Sequence, residues 1–402
     1  MFGRQRPKLR DAARLSKPMF VAAAAAILAA CGTAQPANPP ASTVERAPVV
    51  DTVPTPTNPE PPGTVINETE IQPPTGARAW RVDYHSTGVT GSPVGERMLL
   101  VVPMREPPPG GFPLVVWGHP TKGSADSCAP SYEGAASILL IEPLIREGYA
   151  VAAPDYEGLA AAGPHPYLVG TSEGRSMLDA ARAARQVKGS GVRDTSPVLL
   201  WGFSQGGHAA LFAAQIQPEW APELDVRGVA VAAPVSNVEH FVRRAEGWPA
   251  QFGVLVTVVY GYANAYPELD PAAILTPSAL ADIDDLEDEC IVEVTELYDR
   301  PVAEMLLRSP REEPAFVRRF AENLAGTRKL GVPALVIQGA VDDIVDPADT
   351  TALVNRMCAN GDRVVYVLRP GENHAVTVED LLLPWLRARV AGEPSPAICG
   401  TR

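Results

Sequence analysis

The 402-residue sequence has little that could hold a metal. Its five cysteines and six histidines include no Cys-x-x-Cys pair and no Cys/His cluster, and that spacing argues against zinc. No metal and no cofactor are expected. The chain also lacks excess positive charge: its formal net charge is −13. Six of its basic residues (Arg4, Arg6, Lys8, Arg10, Arg14, Lys17) fall in the first 30 positions beside a single acid, Asp11. Without that stretch, 28 basic residues face 46 acidic ones, a net charge of about −18. Such a surface repels polyanions, so no nucleic-acid partner is expected. The apolar run from Met19 to Ala30 is too short to span a bilayer, which takes about 20 residues.

What is present at the N-terminus reads as an export signal. A basic stretch precedes the short apolar run over residues 1–30, the pattern of a signal peptide. The run ends in Leu28-Ala29-Ala30-Cys31-Gly32, which resembles a bacterial lipobox. The resemblance implies cleavage before Cys31 and a lipid on its sulfur, so the protein is expected outside the cytoplasm, lipid-anchored to the cell envelope or secreted. Residues 31–75 carry Pro39-Pro40, Pro61-Pro62 and Pro73-Pro74 and show no hydrophobic period, which predicts a disordered tether. Cys128, Cys290, Cys358 and Cys399 remain. An even number in an exported chain suggests two disulfides, with three pairings open.

The chain is organised around Val198-Leu199-Leu200-Trp201-Gly202-Phe203-Ser204-Gln205-Gly206-Gly207. An apolar strand runs into Gly-x-Ser-x-Gly, and the small residues from His208 to Ala214 read as a helix. That is the setting of a nucleophile elbow, a sharp strand-to-helix turn that exposes a serine hydroxyl. Gly202 and Gly206 let strand and helix close around Ser204. The Gln205 backbone N–H, at the helix N-terminus, is the expected oxyanion donor.

Around this centre strands and helices alternate. Strands are predicted at Ala79–Tyr84, Met98–Val102, Leu114–Trp117, Tyr149–Ala153, Val226–Ala233, Pro333–Gly339 and Val364–Leu368, and helices at Ser131–Gly148 and Gly174–Lys188. The fold class predicted is α/β, with a mostly parallel central sheet and helices on both faces. The alternation stops near His240 and resumes near Lys329. The predicted organisation is a core over 76–239, a mainly helical cap insertion over 240–329 and the rest of the core over 330–402. The acidic run Asp282–Glu289 reads as a solvated helix face, since its spacing does not match a calcium loop. The loop after Leu114–Trp117 is His119-Pro120-Thr121. This fold draws its second oxyanion donor from that place, and because Pro120 has no N–H, Thr121 is the candidate.

A serine hydroxyl needs a base, and the base needs an acid to orient it. In this fold the order is Ser, acid, His. Of the histidines after Ser204, His208 lies one helical turn on and no acid-bearing strand precedes His240. That leaves His374, after the last strand. Asp342 and Asp343 both end a strand. The Gly-x-x-Asp spacing from Gly339 favours Asp342, with Asp343 the alternative and Asp346 further out. Asp155 precedes the elbow and reads as structural, bonding loop backbone.

Several motifs occur in order: Cys128-Ala129-Pro130-Ser131, Pro154-Asp155-Tyr156-Glu157-Gly158-Leu159, Pro164-His165-Pro166-Tyr167-Leu168-Val169-Gly170 and Gly202-Phe203-Ser204-Gln205-Gly206-Gly207. With them the chain resembles the secretory lipase family of α/β-hydrolases from about residue 75 to its end. The resemblance implies a capped α/β-hydrolase acting on carboxylic esters, acylglycerols included. It also implies that Cys128 pairs with Cys290 and Cys358 with Cys399. The chain has His119-Pro120-Thr121 where the family often has His-Gly-Thr. The expected chemistry is acyl transfer to water through Ser204, His374 and Asp342, with a small-molecule or lipid ester as substrate. Peptidase, acyltransferase and non-catalytic binding protein are the alternatives.

Overall fold

A computed structural model describes residues 51–248, 251–396 and 399. The signal peptide, Cys31 and most of the tether expected from the sequence lie outside them. Nine strands form one sheet: β1 (Val65–Ile71), β2 (Ala77–Thr87), β3 (Pro93–Pro103), β4 (Leu114–Gly118), β5 (Ala150–Pro154), β6 (Val198–Phe203), β7 (Val226–Ala232), β8 (Ala334–Gly339) and β9 (Val364–Arg369). Their order across the sheet is β1-β2-β3-β5-β4-β6-β7-β8-β9. From β1 to β5 neighbours are antiparallel; from β5 through β4 to β9 they are parallel. The fold is that of an α/β-hydrolase.

The helices preceding the long insertion are α1 (Pro130–Glu133), α2 (Ile141–Glu147), α3 (Gly170–Ala184) and α4 (Gln205–Trp220). Between β7 and β8 come α5 (Val238–Glu246), α6 (Phe252–Ala265), α7 (Pro277–Leu280), α8 (Ile291–Leu297), α9 (Val302–Met305) and α10 (Pro314–Glu322). After β8 follow α11 (Pro347–Ala359) and α12 (Glu379–Val390).

The central strands are continuous apolar runs because both their faces are buried. On one face Leu114, Val116, Leu200, Val229 and Val336 pack against α3, α4 and α11. On the other, Val115, Trp117, Leu199, Trp201 and Ile337 pack with Leu144 of α2 and Leu386 of α12. The helical segment between β7 and β8 has its own apolar centre, with Phe252, Val256, Tyr262, Phe316 and Phe320 in it. Tyr167–Val169, from the loop before α3, and Val345 join that centre.

Two expectations need correction. The tether does not run to residue 75. Val53 pairs with Ala161, and Val65–Ile71 is a strand. β1 shows no hydrophobic period because it is an edge strand whose five middle side chains are all exposed; backbone pairing with β2 makes it a strand, and its Glu68 and Glu70 keep the free edge charged. The helix expected over Ser131–Gly148 is broken into α1, a 3₁₀ turn at Ala135–Ser137 and α2. Gly134 (φ +84°) and Leu140 (φ +63°) adopt left-handed backbone that a helix cannot continue through. The acidic run is solvated and helical as expected, a 3₁₀ helix over Ile283–Glu287 that is exposed apart from Leu286 and the partly covered Ile283.

The disulfides join Cys128 to Cys290 and Cys358 to Cys399. The first ties the loop after β4 to the start of α8. Beside it, Ile291 N–H donates to Lys122 O at 2.8 Å, and Gly123 bridges Cys290.

Candidate active site

Ser204 links β6 to α4 with φ +56° and ψ −117°. A non-glycine residue there is strained by about 1–3 kcal/mol, and the strain persists only where neighbours over-determine it. They do so here. The Ser204 carbonyl accepts from the N–H groups of Gly207, His208 and Val235, and its own N–H donates to Ala232 O. Backbones crowd the turn from both sides: a Cβ on Gly202 would stand 1.9 Å from Gly206 O, and one on Gly206 would stand 1.9 Å from Gly118 O. Only glycine fits, so the ends of β4 and β6 and the first turn of α4 meet at Ser204.

Parallel strands place the other two groups. Asp342 follows β8 and His374 follows β9, strands that lie side by side. A Cβ on Gly339 would stand 2.2 Å from Asn373 O, so these two loops touch because Gly339 has none. His374 Nε2 lies 3.1 Å from Ser204 Oγ, and its Nδ1 lies 2.9 Å from Asp342 Oδ2. A carboxylate can only accept, so Nδ1 carries the hydrogen and Nε2 is free to accept from the serine hydroxyl. Phe203 covers the imidazole at a ring separation of 4.9 Å.

Asp342 is buried, with four groups facing it. Its Oδ1 accepts from the Ile344 and Val345 N–H groups, both at 2.9 Å, and its Oδ2 from Gln338 Nε2 at 2.8 Å as well as from His374. Burial pushes its pKa upward, but the hydrogen bond and charge of His374 and the two N–H groups outweigh it and hold the carboxyl below its ordinary value. Asp343 is partly exposed, and its carbonyl accepts from Arg244 Nε at 2.8 Å. Asp346 caps α11, accepting from Ala348 N–H.

Gln205 opens α4, and Thr121 lies in the loop that crosses the start of that helix. Neither backbone N–H has a partner among the described residues. The Thr121 hydroxyl is 2.7 Å from Tyr167 OH. The loop is held from behind by His119, whose Nδ1 lies 2.7 Å from Pro120 O and whose ring stacks on Tyr156 at 4.2 Å. Burial lowers the His119 pKa to about 3, so the imidazole is neutral. Asp155 is structural as expected, but the backbone it bonds is the first turn of α1 rather than a loop: Oδ1 accepts from Ser131 N–H at 2.9 Å, and burial raises its pKa to about 7.

No role was expected for Glu173 or His165, and His208 was set aside as the base; with Gln205 these three form a buried network under the elbow. One signal was available for Glu173. It lies four residues before Met177, on the apolar face of α3, where an acid must find partners.

A family model described as secretory lipase matches residues 131–397. A protein named probable inactive lipase, from Mycobacterium tuberculosis, is 28% identical over 362 residues, covering 83% of this chain and 79% of that one. Lipase 2 of Candida albicans is also 28% identical, over 349 residues, covering 78% and 72%. Among solved structures, Candida antarctica lipase A superposes with a TM-score of 0.75 at 20% identity over 87% of each chain. A rice cell wall degrading esterase from Xanthomonas oryzae gives 0.69 at 20% identity over 83% of this chain and 97% of that one. These two show the same fold.

Proposed function

The chain belongs to the secretory lipase family, and from that membership we propose that it is an exported serine hydrolase of carboxylic esters working through an acyl-enzyme on Ser204. One observation carries the reading. On a strained elbow, the Ser204 hydroxyl faces a histidine at 3.1 Å, and that histidine faces a buried carboxylate at 2.9 Å.

Ser204 Oγ attacks the ester carbonyl while His374 Nε2 takes its proton. Asp342 holds the Nδ1–H and balances the imidazolium. The N–H groups of Gln205 and Thr121 bind the oxyanion, a contribution of about 3–4 kcal/mol per donor in such sites. His374 then protonates the leaving alcohol, and water, deprotonated by the same imidazole, releases the acid. No cofactor enters any step. Residues 240–329 act as a cap. Ser204 and His374 are 5% and 9% exposed. Residues 1–30 direct export and Cys31 carries the lipid; the family's secretory character and the lipobox-like sequence support this.

A second reading is a non-catalytic protein on the same scaffold, favoured by the name of the mycobacterial relative. One assay separates the two. The chain and its Ser204→Ala variant are compared on p-nitrophenyl esters of increasing acyl length, with a fluorophosphonate probe as a covalent label. Turnover and labelling that vanish in the variant establish the hydrolase. Equal turnover in both would remove Ser204 as the nucleophile, and none in a folded parent would leave the non-catalytic reading.

A further inference from the structure

Under the elbow lies a set of buried side chains that the acyl-transfer steps do not use. Glu173, on α3, is fully buried. Its Oε1 accepts from the Leu168 N–H at 3.1 Å and from Gln205 Nε2 at 2.9 Å. Its Oε2 lies 2.8 Å from His208 Nδ1. Gln205 and His208 both belong to the first turn of α4, so one carboxylate grips that turn at two points.

The partners leave little freedom. His208 Nε2 lies 3.0 Å from Asn323 O, and a carbonyl only accepts, so Nε2 carries a hydrogen. One proton then sits between His208 Nδ1 and Glu173 Oε2. Gln205 Nε2 also lies 3.1 Å from His165 Nε2, while His165 Nδ1 is 2.8 Å from Glu157 O and must donate to it. The Gln205 amide nitrogen can only donate, so His165 Nε2 accepts its second hydrogen, in keeping with burial that lowers the His165 pKa. Both amide hydrogens are thus taken, and the side chain has one orientation.

The strain at Ser204 gives this grip a purpose. A serine at φ +56° would relax by turning the peptide that joins it to Gln205, and that peptide carries the N–H assigned to the oxyanion. Resting on the serine-hydrolase reading above, we propose that Glu173 is a positioning residue. By clamping Gln205 and His208 it locks the Ser204–Gln205 peptide and aims the Gln205 N–H at the oxyanion.

The test uses the whole exported chain and compares Glu173→Ala, Glu173→Gln, Gln205→Ala, Glu173→Ala with Gln205→Ala, and Ser204→Ala. It measures kcat and KM on a p-nitrophenyl ester, and affinity for an alkylboronic acid whose tetrahedral adduct needs the oxyanion donors. Glu173→Ala should lower kcat roughly 10- to 100-fold, with KM within about threefold and boronate affinity falling by the same factor as kcat. Gln205→Ala should do likewise, and the double variant should be no worse than the worse single one. Glu173→Gln should recover most of the rate, because its oxygen can accept from Gln205 and its amide can donate to His208 Nδ1. Parent-like kcat and boronate affinity in Glu173→Ala, or losses that multiply in the double variant, would overturn the clamp. Should Glu173→Ala not fold, Gln205→Ala carries the test, and parent-like boronate affinity there overturns it. A Ser204→Ala variant as active as the parent, or a folded parent without activity, would instead remove the serine-hydrolase reading on which the clamp rests.

Discussion

Asp342 and Asp343 are adjacent in sequence but do different things: Asp342 turns its carboxylate to His374 at 2.9 Å, whereas Asp343 gives its backbone carbonyl to Arg244. The backbone decides between them. The N–H groups of Ile344 and Val345 both point at Asp342 Oδ1, forming a ready-made carboxylate site. Asp342→Asn should therefore cost roughly four orders of magnitude in kcat, because the amide favours the wrong histidine tautomer. Asp343→Asn should stay within a few-fold of the parent. Steady-state kinetics on one ester checks both, and equal losses would mean that the acid is misassigned. Stability adds a second sign. The Asp342 pKa is depressed in the folded state, so its contribution is present above the ordinary carboxylate pKa and lost as pH falls through the folded value. Asp342→Asn should lose that acid-side dependence.

The Cys128–Cys290 bridge joins the loop after β4 to the N-cap of α8, beside the Ile291 N–H to Lys122 O bond. That loop also carries Thr121. Cys290→Ser should lower both stability, by about 2–5 kcal/mol, and kcat. Cys358→Ser breaks the bridge to Cys399, which ties α11 to Cys399 and touches none of the candidate site residues, and should lower stability alone. Denaturant melts beside kcat values for the two variants give the comparison. Equal kcat in both would show that the first bridge does not support the site.

Much of this was legible from order and pattern alone. β4, β5 and β6 are buried on both faces, so their side chains form unbroken apolar runs, as do β7 from Gly228 onward and β8 as far as Ile337. Ser204, Asp342 and His374 follow the C-terminal ends of β6, β8 and β9; chain order points to Ser204 and His374, whereas preferring Asp342 to Asp343 took the Gly-x-x-Asp spacing from Gly339. β1 was hidden because its identity lies in backbone pairing, which side-chain pattern does not record. Glu173 was hidden because its partners are Leu168, Gln205 and His208, the last two more than 30 positions away on another helix. Cys128 and Cys290 are separated by 162 residues in sequence and 5.6 Å between Cα atoms, so motif resemblance was what pointed to their pairing.

The lipid proposed on Cys31 would set where the protein works. A single lipid chain holds a protein only marginally to a bilayer, so stable anchoring needs more than one acyl group at that cysteine. Expressed in a bacterial host with the full sequence, the parent should fractionate with membranes and incorporate labelled fatty acid. Cys31→Ser should lose the label and pass to the soluble fraction. An unlabelled parent in the soluble fraction would make residues 1–30 an ordinary secretion signal.

Glu96 gives a pH dependence of the opposite sign to Asp342. It is buried on β3, where Oε2 accepts from Tyr84 OH and Oε1 from Ser176 Oγ, both at 2.9 Å. Burial, reinforced by the charge of Asp179, raises its pKa to about 8. An acid with a raised folded pKa holds its proton more tightly folded than unfolded. Stability therefore falls as pH rises from the ordinary glutamate pKa to about 8, and this group adds no further loss above that. Glu96→Gln removes the titration but keeps the bonds: its oxygen can accept from Tyr84, and its amide can donate to Ser176, whose hydroxyl already reaches Ser172 O at 3.1 Å. The variant should match the parent near pH 5 and become progressively more stable than it up to pH 8. Asp179, raised to about 6 by burial, adds to the parent's slope over the lower part of that range and remains in the variant. Thermal melts of both proteins across pH 5 to 8 read the difference directly. A gap that stays constant with pH would show that Glu96 does not take up its proton in this range.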